Sequence, residues 1–107
     1  ELLQSSHDGY RSSHYCMAMI LKEPLSDKRF EIVDYLKQQG VGTSVYYPCP
    51  VPHFTYYKEK YGYNDTSFPV ASRISGNSIA LPVGPHVNSE DTKYMIRTIK
   101  NAIIEFK

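Results

Sequence analysis

The sequence predicts an α+β domain, a two-layer sandwich in which a small, mainly antiparallel sheet of about three strands carries helices on one face. Three observations predict it. Residues 14–21 (HYCMAMIL) form an unbroken apolar run with the length of a buried strand. Two stretches repeat apolar residues at helical spacing between start and stop signals, and β-branched or aromatic runs alternate with them. The resulting order is strand, helix, strand, aromatic loop, short helix, strand, helix.

The first residues, 1–12, are polar and aperiodic, with Gly9 and paired serines, and read as a lead-in or linker stub; residues 13–107 make the domain. The first strand, 14–21, is closed by Lys22, Glu23 and Pro24. Ser26 or Asp27 can cap a helix whose apolar residues Phe30, Ile32, Val33 and Leu36 recur until Gly40, the residue type that enters a left-handed stop without strain. Residues 41–47 (VGTSVYY) are β-branched and aromatic, which predicts a second strand ending at Pro48. Pro48, Pro50 and Pro52 then impose a stiff extended loop through His53. A helical turn is expected at 56–61 and a short helix at 68–75, with Pro69 in its first turn and Gly76 just past its end. Ser78 to Leu81 forms a short strand that Pro82 ends. Asn88, with Asp91 three residues on, starts a long helix whose predicted buried stripe is Met95, Ile96, Ile99, Ala102, Ile103 and Phe106.

Composition narrows the function more by exclusion than by assertion. The 107 residues carry 12 basic and 11 acidic side chains, a net charge of +1, so no field favours nucleic acid or an anionic membrane. No apolar run approaches the roughly 20 residues that cross a bilayer, and the start lacks the basic and apolar segments of a signal peptide, so a cytoplasmic location is expected. Two cysteines, Cys16 and Cys49, are too few for a disulfide-stapled scaffold and read as free thiols. Ten tyrosines and no tryptophan stand out, with Tyr46, Tyr47, Tyr56, Tyr57, Tyr61 and Tyr63 crowded centrally. Each has a flat apolar body and a hydroxyl that needs a partner, which suits pockets and interfaces.

Several chemistries find no support. His7, His14, Cys16, Cys49, His53 and His86 are metal-ligand types, but no pair has the short spacing of a structural zinc site. His14 and Cys16 alternate on one strand face, as a core thiol beside a packed imidazole would. Cys49 sits between prolines with no cation or helix start to lower its pKa, which speaks against a nucleophile pair of Cys49 with His53. The six glycines make no phosphate cradle. Lys58 and Lys60 interleave with tyrosines as in some RNA-binding sheets, yet the near-neutral charge opposes phosphate binding.

The block of residues 40–53 (GVGTSVYYPCPVPH) resembles the corresponding block in the C-terminal domain of the DegT/DnrJ/StrS sugar aminotransferases. So do residues 68–75 (FPVASRIS), residues 78–85 (SIALPVGP), the approach Ser13-His14-Tyr15 and the helix end at 35–40, all in register. Two positions depart: Tyr46 stands where many members have histidine, and His53 lies one residue further along than their histidine. The resemblance implies the small domain of an enzyme dependent on pyridoxal phosphate (PLP), which moves an amino group from glutamate to a nucleotide-linked keto sugar. It also implies a homodimer, and a larger domain of the same chain that holds PLP and the Schiff-base lysine. None of the eight lysines here sits in such a motif, so the fragment is expected to lack catalytic and cofactor-binding residues and to be inactive alone. Its expected task is to wall the cleft, with Tyr46, Tyr47, His53 and Arg73 as candidate substrate-binding residues. Arg73 can clamp a carboxylate, but on a short helix it more often pairs with a surface acid such as Asp65. His86 is expected at the surface. The competing reading is a free-standing binding or regulatory module for a ligand or RNA.

Overall fold

A computed structural model of the chain describes residues 1–2 and 6–107, so residues 3–5 of the expected lead-in lie outside the described residues. Its elements are β1 (Ser6–His7), β2 (Tyr10–Arg11), β3 (Met17–Ile20), α1 (Arg29–Gln38), α2 (Thr55–Tyr61), α3 (Pro69–Asn77), β4 (Ser78–Leu81) and α4 (Ser89–Phe106). Turns of 3₁₀ helix at Ser26–Lys28 and Val51–His53 lead towards α1 and α2. β1 and β2 form a small antiparallel hairpin around Gly9, whose φ of +78° costs a glycine nothing.

The sheet is built on β3 and β4, antiparallel, with Met17 opposite Leu81, Ala18 opposite Ala80, Met19 opposite Ile79 and Ile20 opposite Ser78. Single bridges extend it on both sides: Leu2 pairs with Met19, and Ser44 with Ala80. The pairing of Glu1 with Ile20 is reciprocal, at 2.9 and 2.7 Å. Because strand side chains alternate, Met17, Met19, Ile79 and Leu81 share the inner face, and Ala18, Ile20, Ser78 and Ala80 the outer one. The inner face packs on α1 and α4, joining Met19, Ile79 and Leu81 to Ile32, Val33, Leu36, Val41, Met95 and Ala102 in one buried cluster. The predicted α+β architecture is therefore observed.

The expected strands are shortened for local reasons. The run 14–21 pairs only from Met17, because His14 takes a left-handed φ of +53° that no ladder residue adopts. His14 and Cys16 are consequently exposed and do not form the expected core pair. Of residues 41–47 only Ser44 pairs, exchanging bonds with Ala80 at 3.1 and 2.8 Å. The next hydrogen-bonded position would set Gly42 against Pro82, which has no N–H to give.

The helices keep closer to expectation. α1 ends in a Schellman arrangement: the Gly40 N–H donates to Lys37 and the Val41 N–H to Leu36, at 2.9 and 2.8 Å, with Gly40 at φ +76°. Neither Ser26 nor Asp27 caps it, however, since the 3₁₀ turn delivers the chain directly. Its buried residues are Arg29, Ile32, Val33 and Leu36, whereas Phe30 is exposed. α3 runs two residues past the expected stop, through Gly76 to Asn77, whose carbonyl accepts from Leu21 N–H at 2.9 Å. α4 has the predicted capping box: Asn88 Oδ1 accepts from the N–H groups of Glu90 and Asp91, and Asp91 Oδ2 accepts from Asn88 N–H. Its buried residues are Met95, Thr98 and Ala102, while Ile96 and Ile103 of the predicted stripe stay exposed. No helix among the described residues is long and apolar enough to cross a membrane.

A candidate binding cleft on the outer sheet face

The outer face is floored by small side chains, Ala18, Ala80 and Ser78, which leave room above the sheet. Three tyrosines stand around that room. Tyr15 comes from the approach to β3, and Tyr46 and Tyr47 from the segment that peels away after Ser44; all three are exposed. They shape two adjoining cavities that share Tyr15 and Tyr46. One, of about 430 Å³, includes Gly42, Thr43, Ser44 and Ala80 in its lining. The other, of about 370 Å³, includes Tyr47, Ala18, Ile74 and Ser75. Each lies within the range of small-molecule sites, roughly 300–1,000 Å³. Thr43 Oγ1 is enclosed and has no hydrogen-bond partner, an unspent polar group beside the first cavity.

α3 supplies the far wall, and Arg29 fixes its end. That guanidinium, buried at the start of α1, donates from Nη1 to the Ser75 carbonyl at 2.5 Å and covers the Phe30 ring at 5.0 Å. A last-turn carbonyl is thereby satisfied by a cation, the sign a helix C-terminus prefers.

The four candidate residues divide. Tyr46 and Tyr47 flank the cleft. His53 lies elsewhere: its Nε2 donates to the Ser67 carbonyl at 2.7 Å and braces the proline loop against the segment entering α3. Arg73, on α3 just before Ile74, makes an ion pair with Glu1 at 3.7 Å and lines neither cavity. Asp65, its expected partner, instead binds Lys58 at 2.5 Å. That hydrogen bond, and then the ammonium charge, holds the Asp65 carboxyl below the usual carboxylate range. Glu1 is lowered likewise, first by the Lys22 hydrogen bond and charge and less by Arg73. Tyr15 and Thr43 join the site without having been candidates; the signals for Tyr15 were its place just before a strand and within the family-like approach Ser13-His14-Tyr15.

The crowded tyrosines of α2 do not face this cleft. Tyr57, Tyr61, Tyr63 and Phe68 pack ring on ring at centroid distances of 6.2, 5.7 and 5.0 Å, a partly exposed stack along the excursion between Ser44 and α3. Cys16 and Cys49 are free thiols. Among the described residues no group of three His, Cys, Asp or Glu side chains could hold a metal ion.

The site thus defines a class, a small α+β domain that offers an aromatic cleft on the open face of its sheet. Residues 2–100 match the DegT/DnrJ/EryC1/StrS aminotransferase family, and the chain belongs to it. It is similar to the erythromycin biosynthesis sensory transduction protein EryC1 of Saccharopolyspora erythraea, 35% identical over 69% of this chain and 20% of that protein. The spore coat polysaccharide biosynthesis protein SpsC of Bacillus subtilis is 26% identical over 90% of this chain and 25% of its own. Among solved structures, Spr1654 of Streptococcus pneumoniae, assigned as a sugar aminotransferase, superposes with a TM-score of 0.85 and 26% identity over 98% of this chain. The chain spans about a fifth to a quarter of the length of these relatives.

The two cavities of the outer face do not offer the groups that PLP needs. The cofactor needs an amine, an acid for its ring nitrogen and a phosphate cradle in one place. Lys22, Lys58 and Lys93 are tied at the surface to Glu1, Asp65 and Glu90, and neither cavity of the outer face includes a lysine.

Proposed function

We propose that this chain is the small C-terminal domain of a PLP-dependent aminotransferase that transfers an amino group from glutamate to a nucleotide-linked keto sugar. The observation that carries the reading is the family match across residues 2–100 in a chain only a fifth to a quarter as long as its relatives. On this reading residues 1–12 lead in from a large domain that holds PLP and its lysine, and residues 13–107 close the cleft from one side. The parent acts as a cytoplasmic homodimer.

The outer face supplies the chemistry of such a wall. Tyr15, Tyr46 and Tyr47 offer flat faces for a sugar or base and hydroxyls that both donate and accept. Thr43 Oγ1, enclosed beside the first cavity, has no partner within the chain and would have to turn outward to meet a ligand hydroxyl. Prolines 48, 50 and 52 stiffen the segment after Tyr47, and the His53 bond to Ser67 anchors it, so little ordering entropy remains to be lost on binding. Arg73 lines neither cavity and is paired with Glu1, so on this reading it meets a substrate carboxylate or phosphate only if the ligand extends beyond the cleft.

The test is kinetic and uses the parent polypeptide. Replacing both Tyr46 and Tyr47 by alanine is expected to raise the KM for the nucleotide sugar by about tenfold or more, the loss of about 1.4 kcal/mol of binding. An unchanged KM in a folded variant would remove the cleft from the substrate path. A parent that neither binds PLP nor aminates a keto sugar would sink the whole reading.

A further inference from the structure

Arg29, at the start of α1, is the one buried charged side chain among the described residues, with 7% of its surface exposed. Its compensation is thin. Nη1 donates to the Ser75 carbonyl, the guanidinium lies 5.0 Å from the centre of the Phe30 ring, and Nε has no hydrogen-bond partner. Among the described residues no carboxylate makes an ion pair with it. A cation so placed gives up hydration that one carbonyl and one ring face return only in part, and an apolar side chain of similar volume often serves stability as well or better. Stability alone therefore does not account for an arginine here.

The other end of the bond does. α3 has no buried side chain, so it is not seated by a core residue of its own. Its entry is braced by His53 through the Ser67 carbonyl. Its last turn is held by two carbonyls: that of Asn77 accepts from Leu21 N–H at 2.9 Å, and that of Ser75 from Arg29 Nη1 at 2.5 Å. The ion pair of Arg73 with Glu1 is a third tie, but it is exposed and long, at 3.7 Å, and such pairs contribute little. Asn77 lies where the chain enters β4 and fixes the foot of the helix; Ser75, two residues earlier, fixes its direction. Direction matters to the cleft, because Ile74 and Ser75 line the second cavity together with Tyr47 and Ala18. α1 is itself seated in the core through Ile32, Val33 and Leu36, so the guanidinium passes the position of an anchored helix to a wall that lacks an anchor.

We infer that Arg29 is a positioning residue for the cleft: it lines neither cavity, and it sets the width of the second by holding the last turn of α3 through Ser75. This rests on the reading of the outer face as the substrate cleft. The part of the ligand concerned is uncharged. Among the described lining residues neither cavity has a charged side chain, so the α3 wall meets a sugar ring or the face of a base, not a phosphate or the carboxylates of glutamate.

Steady-state kinetics of the parent polypeptide carrying Arg29→Met, with a thermal melt of the same preparation, test this. The thioether chain fills much of the arginine's space without its charge or its donors. The KM for the nucleotide sugar is expected to rise about fivefold, while kcat and the KM for glutamate stay within about twofold and the Tm falls by no more than about 2 °C. A residue that served folding alone would show the reverse, a lower Tm or no folded protein with the sugar KM unmoved in what remains, and that result overturns the inference. A loss of kcat without a change in KM overturns it as well. Arg29→Lys, which keeps a cation and a donor within reach of a carbonyl, is expected to recover most of the loss in KM, and a lysine variant no better than the methionine one would show that the tie to Ser75 is not what acts. Tyr46→Ala combined with Tyr47→Ala in the same assay separates the two readings. If that double variant raises the sugar KM and Arg29→Met does not, the positioning role alone is lost; if neither moves it, the cleft reading is lost and the positioning role with it.

Discussion

Replacing Asn88 by alanine probes how α4 is held. Asn88 Oδ1 accepts from Glu90 N–H at 2.8 Å and from Asp91 N–H at 3.0 Å, and Asp91 Oδ2 accepts from Asn88 N–H at 3.0 Å. All three bonds lie at the surface, so in Asn88→Ala the two freed amides are solvated rather than orphaned, and the cost is that of a lost cap, about 1 kcal/mol. For a domain near 100 residues that lowers the Tm by about 4–8 °C. Asp91→Ala removes the reciprocal bond and a negative charge from the helix start, worth about 0.3–1 kcal/mol more. The two act through one motif, so the double variant should lose less than the sum of the single losses. Thermal melts followed by circular dichroism, with urea titrations to extract free energies, measure all three. An Asn88→Ala protein melting within 1 °C of the unsubstituted chain would refute the cap as an anchor of α4. Strict additivity would refute the reciprocal box.

Three further outcomes follow from the same geometry. Ile79 is fully buried between both helices and the neighbouring strands, so Ile79→Ala should cost about 2–5 kcal/mol in urea unfolding, and a loss below 1 would contradict the core assignment. His53→Ala removes the bond to Ser67 and should cost about 0.5–1.5 kcal/mol, with faster amide exchange at residue 53 and Phe54 as the local sign. Lys58 holds the Asp65 carboxyl below its usual range. The stabilisation is therefore fully present above the unfolded carboxylate pKa and is lost as pH falls through the lower folded value; Lys58→Met should return the NMR titration midpoint of Asp65 to the ordinary range, and an unmoved midpoint would exclude the pair.

What could be read from the chain followed locality. Asn88 with Asp91, and Gly40 after a periodic run, are caps whose partners lie within a few residues, and both helix ends appear where expected. Strand ends were not local. Val41 to Tyr47 has strand propensity, but its ladder fails because Pro82, some forty residues on, lacks a donor. The split of the α4 stripe into a buried and an open row was equally hidden, since periodicity shows an apolar face and not what covers it. In the site, Tyr46 and Tyr47 were legible from the prolines beside them and the family resemblance. Tyr15 and Thr43 reach the same cleft only through the register of β3, β4 and Ser44. Arg29 gave no signal at all: its partner is a backbone carbonyl 46 residues away.

The central claim is that this chain serves an aminotransferase whose cofactor is held outside it. The most direct measurement compares two purified proteins, this 107-residue chain and the polypeptide extended by the coding sequence that precedes Glu1, each incubated with PLP, glutamate and a nucleotide-linked keto sugar. The extended protein is expected to show bound PLP and to release 2-oxoglutarate as the sugar gains its amine, while the 107-residue chain does neither. A borohydride-reducible PLP adduct on one lysine of the short chain, or an extended protein without transamination, would contradict it.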